Sequence, residues 1–103
     1  MRQVFYAPAA RADIAELTRR IVANNGPLVA EKVMGRVKQS LERLSQFPHI
    51  GRARPQLGAG IHSWPIARPF TVLFRIRTDA IEILRIVDGR RRFTRKMASG
   101  ADR

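Results

Sequence analysis

Few residues of this chain could do acid-base chemistry near neutrality: two histidines, His49 and His62, and one tyrosine, Tyr6. The chain has no cysteine, which excludes disulfides, thiolate metal ligands and thiol nucleophiles. No helical or strand spacing brings a third ligand to the two histidines, so the sequence predicts no metal site, and no cofactor is expected. Positive charge, in contrast, is abundant. There are 20 Lys plus Arg against 8 Asp plus Glu, a formal net charge of +12. Guanidinium groups do not deprotonate in proteins, so they make poor bases. They do bind phosphates and carboxylates through paired hydrogen bonds. The chemistry this composition supports is recognition of a polyanion or an acidic protein, with encounter speeded by the field of the excess charge.

The cations are placed unevenly. Arg75, Arg77 and Arg85 sit inside two apolar runs near residues 70–77 and 80–87, and Arg90, Arg91, Arg92, Arg95 and Lys96 surround Phe93 close to the C-terminus. The elements that hold them can be read from periodicity. Residues 3–6 read as a short strand. Ala10, Ile14, Leu17 and Ile21 recur at helical steps behind Pro8, predicting a helix over 8–23 with Asp13 largely on its wet side. Asn24-Asn25-Gly26-Pro27 stops that helix and starts another, whose apolar face is Val29, Val33, Val37, Leu41 and Leu44. Phe47-Pro48 ends it. The Pro and Gly residues between 48 and 60 mark a loop without regular structure. Runs at 61–66, 70–77 and 80–87 then read as strands, the last two joined at Thr78-Asp79, and Pro69 suggests an edge or bulge at the approach to the second of them.

The order β-α-α-β-β-β predicts an α+β fold, a helical hairpin packed on one face of a small, mainly antiparallel twisted sheet. A length of 103 residues allows one domain. We expect it over residues 1–91, with 92–103 a basic tail frayed from Ala98 onward. No stretch resembles a signal peptide or a membrane span, so the expected location is cytoplasmic, with no membrane contact. Strand alternation directs Phe70, Val72, Phe74 and Ile76, with Glu82, Leu84 and Ile86, toward the helices. The opposite face would then carry Leu73, Arg75, Arg77, Ile83, Arg85 and Val87. A greasy face framed by arginines reads as a protein-docking surface, the alternative being ordinary sheet residues partly covered by the C-terminal tail.

The connector and the strands after it carry a resemblance. Phe47-Pro48, Gly51-Arg52, Pro55-Gln56-Leu57-Gly58 and Gly60-Ile61-His62-Ser63-Trp64-Pro65 follow one another as in the helix-to-sheet connector of ParE-type toxins. Val72-Leu73-Phe74-Arg75 and Ile81-Glu82-Ile83-Leu84-Arg85-Ile86-Val87 are similar to that family's next strands. The chain thus resembles, from residue 3 to about 91, a ParE-type toxin of the RelE/ParE toxin-antitoxin superfamily. It departs from the pattern at Ala7, where a capping serine is common, and at Asp88-Gly89-Arg90-Arg91, where a histidine is frequent. The resemblance implies a toxin that is not itself an enzyme. Its target would be DNA gyrase, with indirect DNA contact. A cognate antitoxin, ParD-like or other, would form a hetero-oligomer with it. On that reading the antitoxin covers Leu73, Arg75, Arg77, Ile83, Arg85 and Val87, and the target meets Arg90, Arg91, Arg92, Phe93, Arg95 and Lys96.

Two rival readings keep the fold. A RelE-like, ribosome-dependent ribonuclease would use Arg75 and Arg85 as cations, yet it needs an acid and a base that the late part of the sequence does not supply. A simple nucleic-acid-binding module would use the basic tail, with Phe93 as a stacking residue. Trp64 reads as a packing residue. Arg52 and Arg54 read as braces of the connector that bond carbonyls or a helix end.

Overall fold

The computed structural model describes residues 2–103. Strand β1, Gln3–Tyr6, runs into helix α1, Pro8–Asn25, and α2, Pro27–Gln46, follows after a one-residue break at Gly26. Proline opens each helix, where its missing N–H costs nothing. The connector holds two single-turn 3-10 helices, Pro48–Ile50 and Pro55–Leu57, around a two-residue strand β2, Arg52–Ala53. Strands β3, Ile61–Pro65, β4, Phe70–Ile76, and β5, Ala80–Asp88, come next, and a short helix α3, Arg95–Ser99, ends the order. The sheet has five strands in the order β1-β5-β4-β3-β2, with β1 parallel to β5 and every other pair antiparallel. The α+β class and the helical hairpin are therefore as expected. The connector is more regular than its Pro and Gly content suggests, because β2 is short enough to fit between the breakers.

Each face of the sheet has its own core. The helix-side core joins Leu17, Val37, Leu41 and Leu44 to Val72, Phe74, Ile81, Ile83 and Ile86. Gly51 lets the connector lie on that core, since a Cβ there would stand 2.4 Å from the Phe74 ring. The far-side core joins Leu57, Ile61, Leu73, Leu84 and Val87 to Met97 and Ala98 of α3. In α2 it is Ala30, not Val29, that is buried.

The expected far face needs correction at three points. First, the register slips between Leu73 and Phe74: Leu73 faces Arg85 while Phe74 faces Ile83, leaving Leu84 as an extra residue in β5. Such a bulge reverses the alternation on one side of it. Ile83 therefore points to the helices, and Glu82 and Leu84 point away from them. Second, the bulge lies there and not at Pro69, which sits in the β3–β4 turn with its carbonyl accepting from the Gly89 N–H at 2.7 Å. Third, Leu73, Arg85 and Val87 are buried, at 0%, 4% and 4% exposure, because residues 92–103 fold back over them.

That last segment is not frayed at Ala98. Thr94 caps α3 by accepting the Met97 N–H at 3.2 Å, and Gly100 ends the helix in the left-handed region at φ 76°. Met97 is 2% exposed. Its burial contributes on the order of 2 kcal/mol. An apolar strand face cannot stay wet, and the chain supplies its own cover.

Candidate functional site

Among the described residues, the most highly connected side chains are Arg85 and Asp13, with four hydrogen bonds each. Pairing of β1 with β5 ends at Ile83, so the edge of β5 beyond it lacks a strand neighbour. Asp13 of α1 takes that place, its Oδ2 accepting the Ile86 N–H at 2.9 Å. The same carboxylate receives the Arg85 Nε at 2.7 Å and an Nη at 3.1 Å. The other Nη of Arg85 donates to the Met97 carbonyl at 2.8 Å and to Asp102. Arg103 closes the set with a 2.6 Å bond to Asp13. The Asp13 hydrogen bonds, opposed by desolvation, raise the Arg85 pKa above its ordinary value, with Asp102 adding to the rise. Arg85 is thus a fixed cation tying α1, β5 and the end of the chain together. The sequence reading missed Asp13, Asp102 and Arg103. A signal for Asp13 was present: it stands three residues after Ala10 and four before Leu17, both buried on the same helix face.

Arg75 and Arg77 remain nearer the surface. Glu82 lies 3.7 Å from Arg75 and 3.0 Å from Arg77, and Arg75 also donates to the Ala59 carbonyl at 3.3 Å. Arg75 borders a groove of about 540 Å³ between α3 and the start of α1, floored by Leu57, Ile61, Leu84 and Ala98 and edged by Arg95. Phe5, 55% exposed, stands opposite Glu82 in the β1–β5 register. Tyr6 is on the other side of the sheet, packed against the helix-side core. Burial, reinforced by Glu42 and opposed by Arg11, raises its pKa above the ordinary phenol value. Among the described residues, the cations named for a ribonuclease are therefore not gathered with a tyrosine or histidine: Arg85 is occupied, the sheet separates Tyr6 from Arg75, and Glu82 is the titratable group beside Arg75.

The basic run is partly ordered by the connector. Arg90 grips Asp88 through bonds of 3.0 and 2.6 Å, and this guanidinium holds the Asp88 pKa down to about 2. Arg91, Arg92 and Lys96 are exposed. The Arg54 guanidinium lies 5.3 Å above the Phe93 ring, whose other contacts are with the far-side core. Phe93 is consequently no open stacking platform. Arg54 donates to the Ser63 hydroxyl at 2.8 Å, and Arg95 to the Gln56 carbonyl at 3.1 Å. His62 bonds the Gly60 carbonyl at 3.0 Å and stacks on Phe74, while His49 is exposed. Trp64 packs on the helix-side core. Among the described residues no cluster of His, Cys, Asp and Glu could hold a metal ion, and no helix is long and apolar enough to cross a membrane.

Comparison with known proteins decides the family. The sequence pattern described as ParE toxin of type II toxin-antitoxin system, parDE, matches residues 4–93. The chain belongs to the ParE toxin family. It is 34% identical over 90 residues to Toxin ParE3 of Caulobacter vibrioides, covering 87% of this chain and 89% of that one. Toxin RelE3 of the same organism is 29% identical over 86 residues, covering 84% and 92%. Among solved structures, a chain of the chromosomal ParDE system from P. aeruginosa superposes with a TM-score of 0.73 at 28% identity, covering 85% of this chain and 96% of that one. A chain of the RelBE2 toxin-antitoxin complex from Mycobacterium tuberculosis gives 0.54 at 27% identity, with coverages of 84% and 96%. Helix α3 of this toxin lies beyond the matched residues.

Proposed function

We propose that this ParE-family toxin acts by binding DNA gyrase, not by cutting RNA, and that a cognate antitoxin neutralises it. The observation that carries the reading is the engagement of Arg85 by Asp13, the Met97 carbonyl and Asp102. A phosphodiester-cleaving site must stabilise charge on the phosphorane and move two protons. With Arg85 withdrawn and the phenol of Tyr6 on the helix side of the sheet, Arg75 is left beside Glu82, Arg77 and the Ala59 carbonyl. Likeness to RelE3 favours the ribonuclease reading, and this geometry weighs against it. The run Arg90, Arg91, Arg92, Phe93, Arg95 and Lys96 is the surface offered to the target.

The antitoxin contact moves outward from its expected place. Leu73, Ile83, Arg85 and Val87 lie beneath the surface, so a partner meets Arg75, Arg77, Phe5 and the groove beside α3. An acidic, amphipathic segment suits an apolar floor with arginines at its edge. The test is a supercoiling assay with purified toxin, gyrase, ATP and relaxed plasmid. Loss of supercoiling with accumulation of cleaved plasmid is expected, and full supercoiling at a molar excess of toxin overturns the proposal.

A further inference from the structure

Acidic residues are absent from two long stretches of this toxin, residues 43–78 and 89–101. The fold brings these stretches together at one end of the sheet. Arg54, just after edge strand β2, lies over Phe93, and Arg95 bonds the backbone of Gln56. Arg52 stands on β2 two residues before Arg54, and Arg92 immediately precedes Phe93. Arg54 and Arg95 therefore join two segments far apart in sequence into one cationic region, and Arg52 and Arg92, both exposed, are their near neighbours in the chain. None of the four has a carboxylate partner among the described residues. The neighbouring acids are already engaged: Asp88 by Arg90, Glu82 by Arg75 and Arg77, and Asp102 by Arg85.

The sequence reading assigned Arg52 and Arg54 to bracing the connector through carbonyls or a helix end. Arg54 bonds a serine hydroxyl and an aromatic face instead. Both contacts fix the guanidinium without neutralising it. Arg95 is held similarly, by one backbone carbonyl. Two fixed guanidinium groups with two exposed ones beside them in the chain suit a row of phosphates, for which arginine offers paired donors.

We infer that Arg52, Arg54, Arg92 and Arg95 form a binding surface for the phosphate backbone of nucleic acid, and that this toxin contacts duplex DNA directly. Single-strand binding draws much of its strength from bases stacking on aromatic rings. Phe93, the aromatic of this surface, already has Arg54 over its ring. Backbone contact without base stacking fits a duplex better than a single strand. The inference goes beyond the gyrase reading and does not depend on it, because DNA alone reports it.

The experiment measures fluorescence anisotropy of a labelled random-sequence 20-base-pair duplex, titrated with the full chain between about 50 and 200 mM salt. Four phosphate contacts predict a log-log salt slope of about −3.6, and hence on the order of a hundredfold loss of affinity across that range. Arg52→Ala with Arg54→Ala should make the slope shallower by about 1.8, as should Arg92→Ala with Arg95→Ala. Lys32→Ala with Lys38→Ala, on the exposed side of α2, should leave it unchanged. Because Arg54 also packs on Phe93, thermal melts accompany each variant, and Arg92→Ala alone, at an exposed position, should remove about 0.9. Equal slope changes from the α2 control would overturn the inference. So would tighter binding to a single-stranded RNA of equal length, or to poly-glutamate of equal charge, which would point to a single strand or an acidic protein as the partner.

Discussion

Replacing Arg85 with alanine tests whether the buried ion cluster holds the end of the chain in place. The change removes two hydrogen bonds to Asp13, one to the Met97 carbonyl and one to Asp102. Removing one partner of a buried ion pair costs about 3–5 kcal/mol, because the remaining charge stays desolvated. Asp13 would keep the Ile86 N–H and Arg103, which places the loss near the lower end, about 3 kcal/mol. For a domain of this size each kcal/mol lowers Tm by roughly 4–8 °C, so a drop of roughly 12–24 °C is expected in a calorimetric melt. The companion double variant, Arg85→Met with Asp13→Asn, removes both buried charges and should recover much of the loss, since the ions left without their partner, Asp102 and Arg103, are partly exposed. A cost below about 1 kcal/mol for Arg85→Ala, the value of an exposed pair, would refute the reasoning. A double variant as unstable as the sum of its singles would refute it too.

Other outcomes follow from the same geometry. Asp88 is held at a pKa of about 2, below its ordinary 3.8, chiefly by its hydrogen bonds with Arg90. Its ion pair therefore stabilises the fold fully above pH 3.8 and is lost as pH falls through about 2, and a carboxyl-carbon NMR titration with a midpoint at or above 3.8 would contradict this. Gly51→Ala should destabilise by about 1–3 kcal/mol in a urea melt, because the added methyl meets a Phe74 ring that has no room to move. Tyr6→Phe should leave growth arrest on induction unchanged, since the phenol lies on the helix side and takes no part in target binding. A variant that has lost toxicity while keeping its fold would count against a non-enzymatic toxin.

Most of the element order was legible because periodicity records burial: helical steps in 8–46 and two-residue steps in 70–77 both survive in the structure. The far face was misread for a local reason. A bulge adds one residue without leaving a trace in composition, and Ile-Glu-Ile-Leu-Arg-Ile-Val reads equally well in either register. Helix α3 was hidden by its charge, although Thr94 and Gly100 are placed as cap and stop around it. The candidate site was half legible. Arg75 and Arg77 stand where alternation put them, but the partner that withdraws Arg85 comes from α1, and no strand pattern can show a contact 72 residues away in the chain. The cationic edge was legible only as two separate runs. Their union depends on how the connector folds against the residues after β5.

The claim that this toxin binds its target and performs no catalysis is tested most directly by counting turnovers. Toxin at one-tenth the concentration of message-programmed ribosomes should produce no codon-specific cuts by primer extension. The same preparation should inhibit gyrase only as it approaches gyrase in molar amount. Several message cuts per toxin molecule, with supercoiling intact at equimolar toxin, would contradict the account.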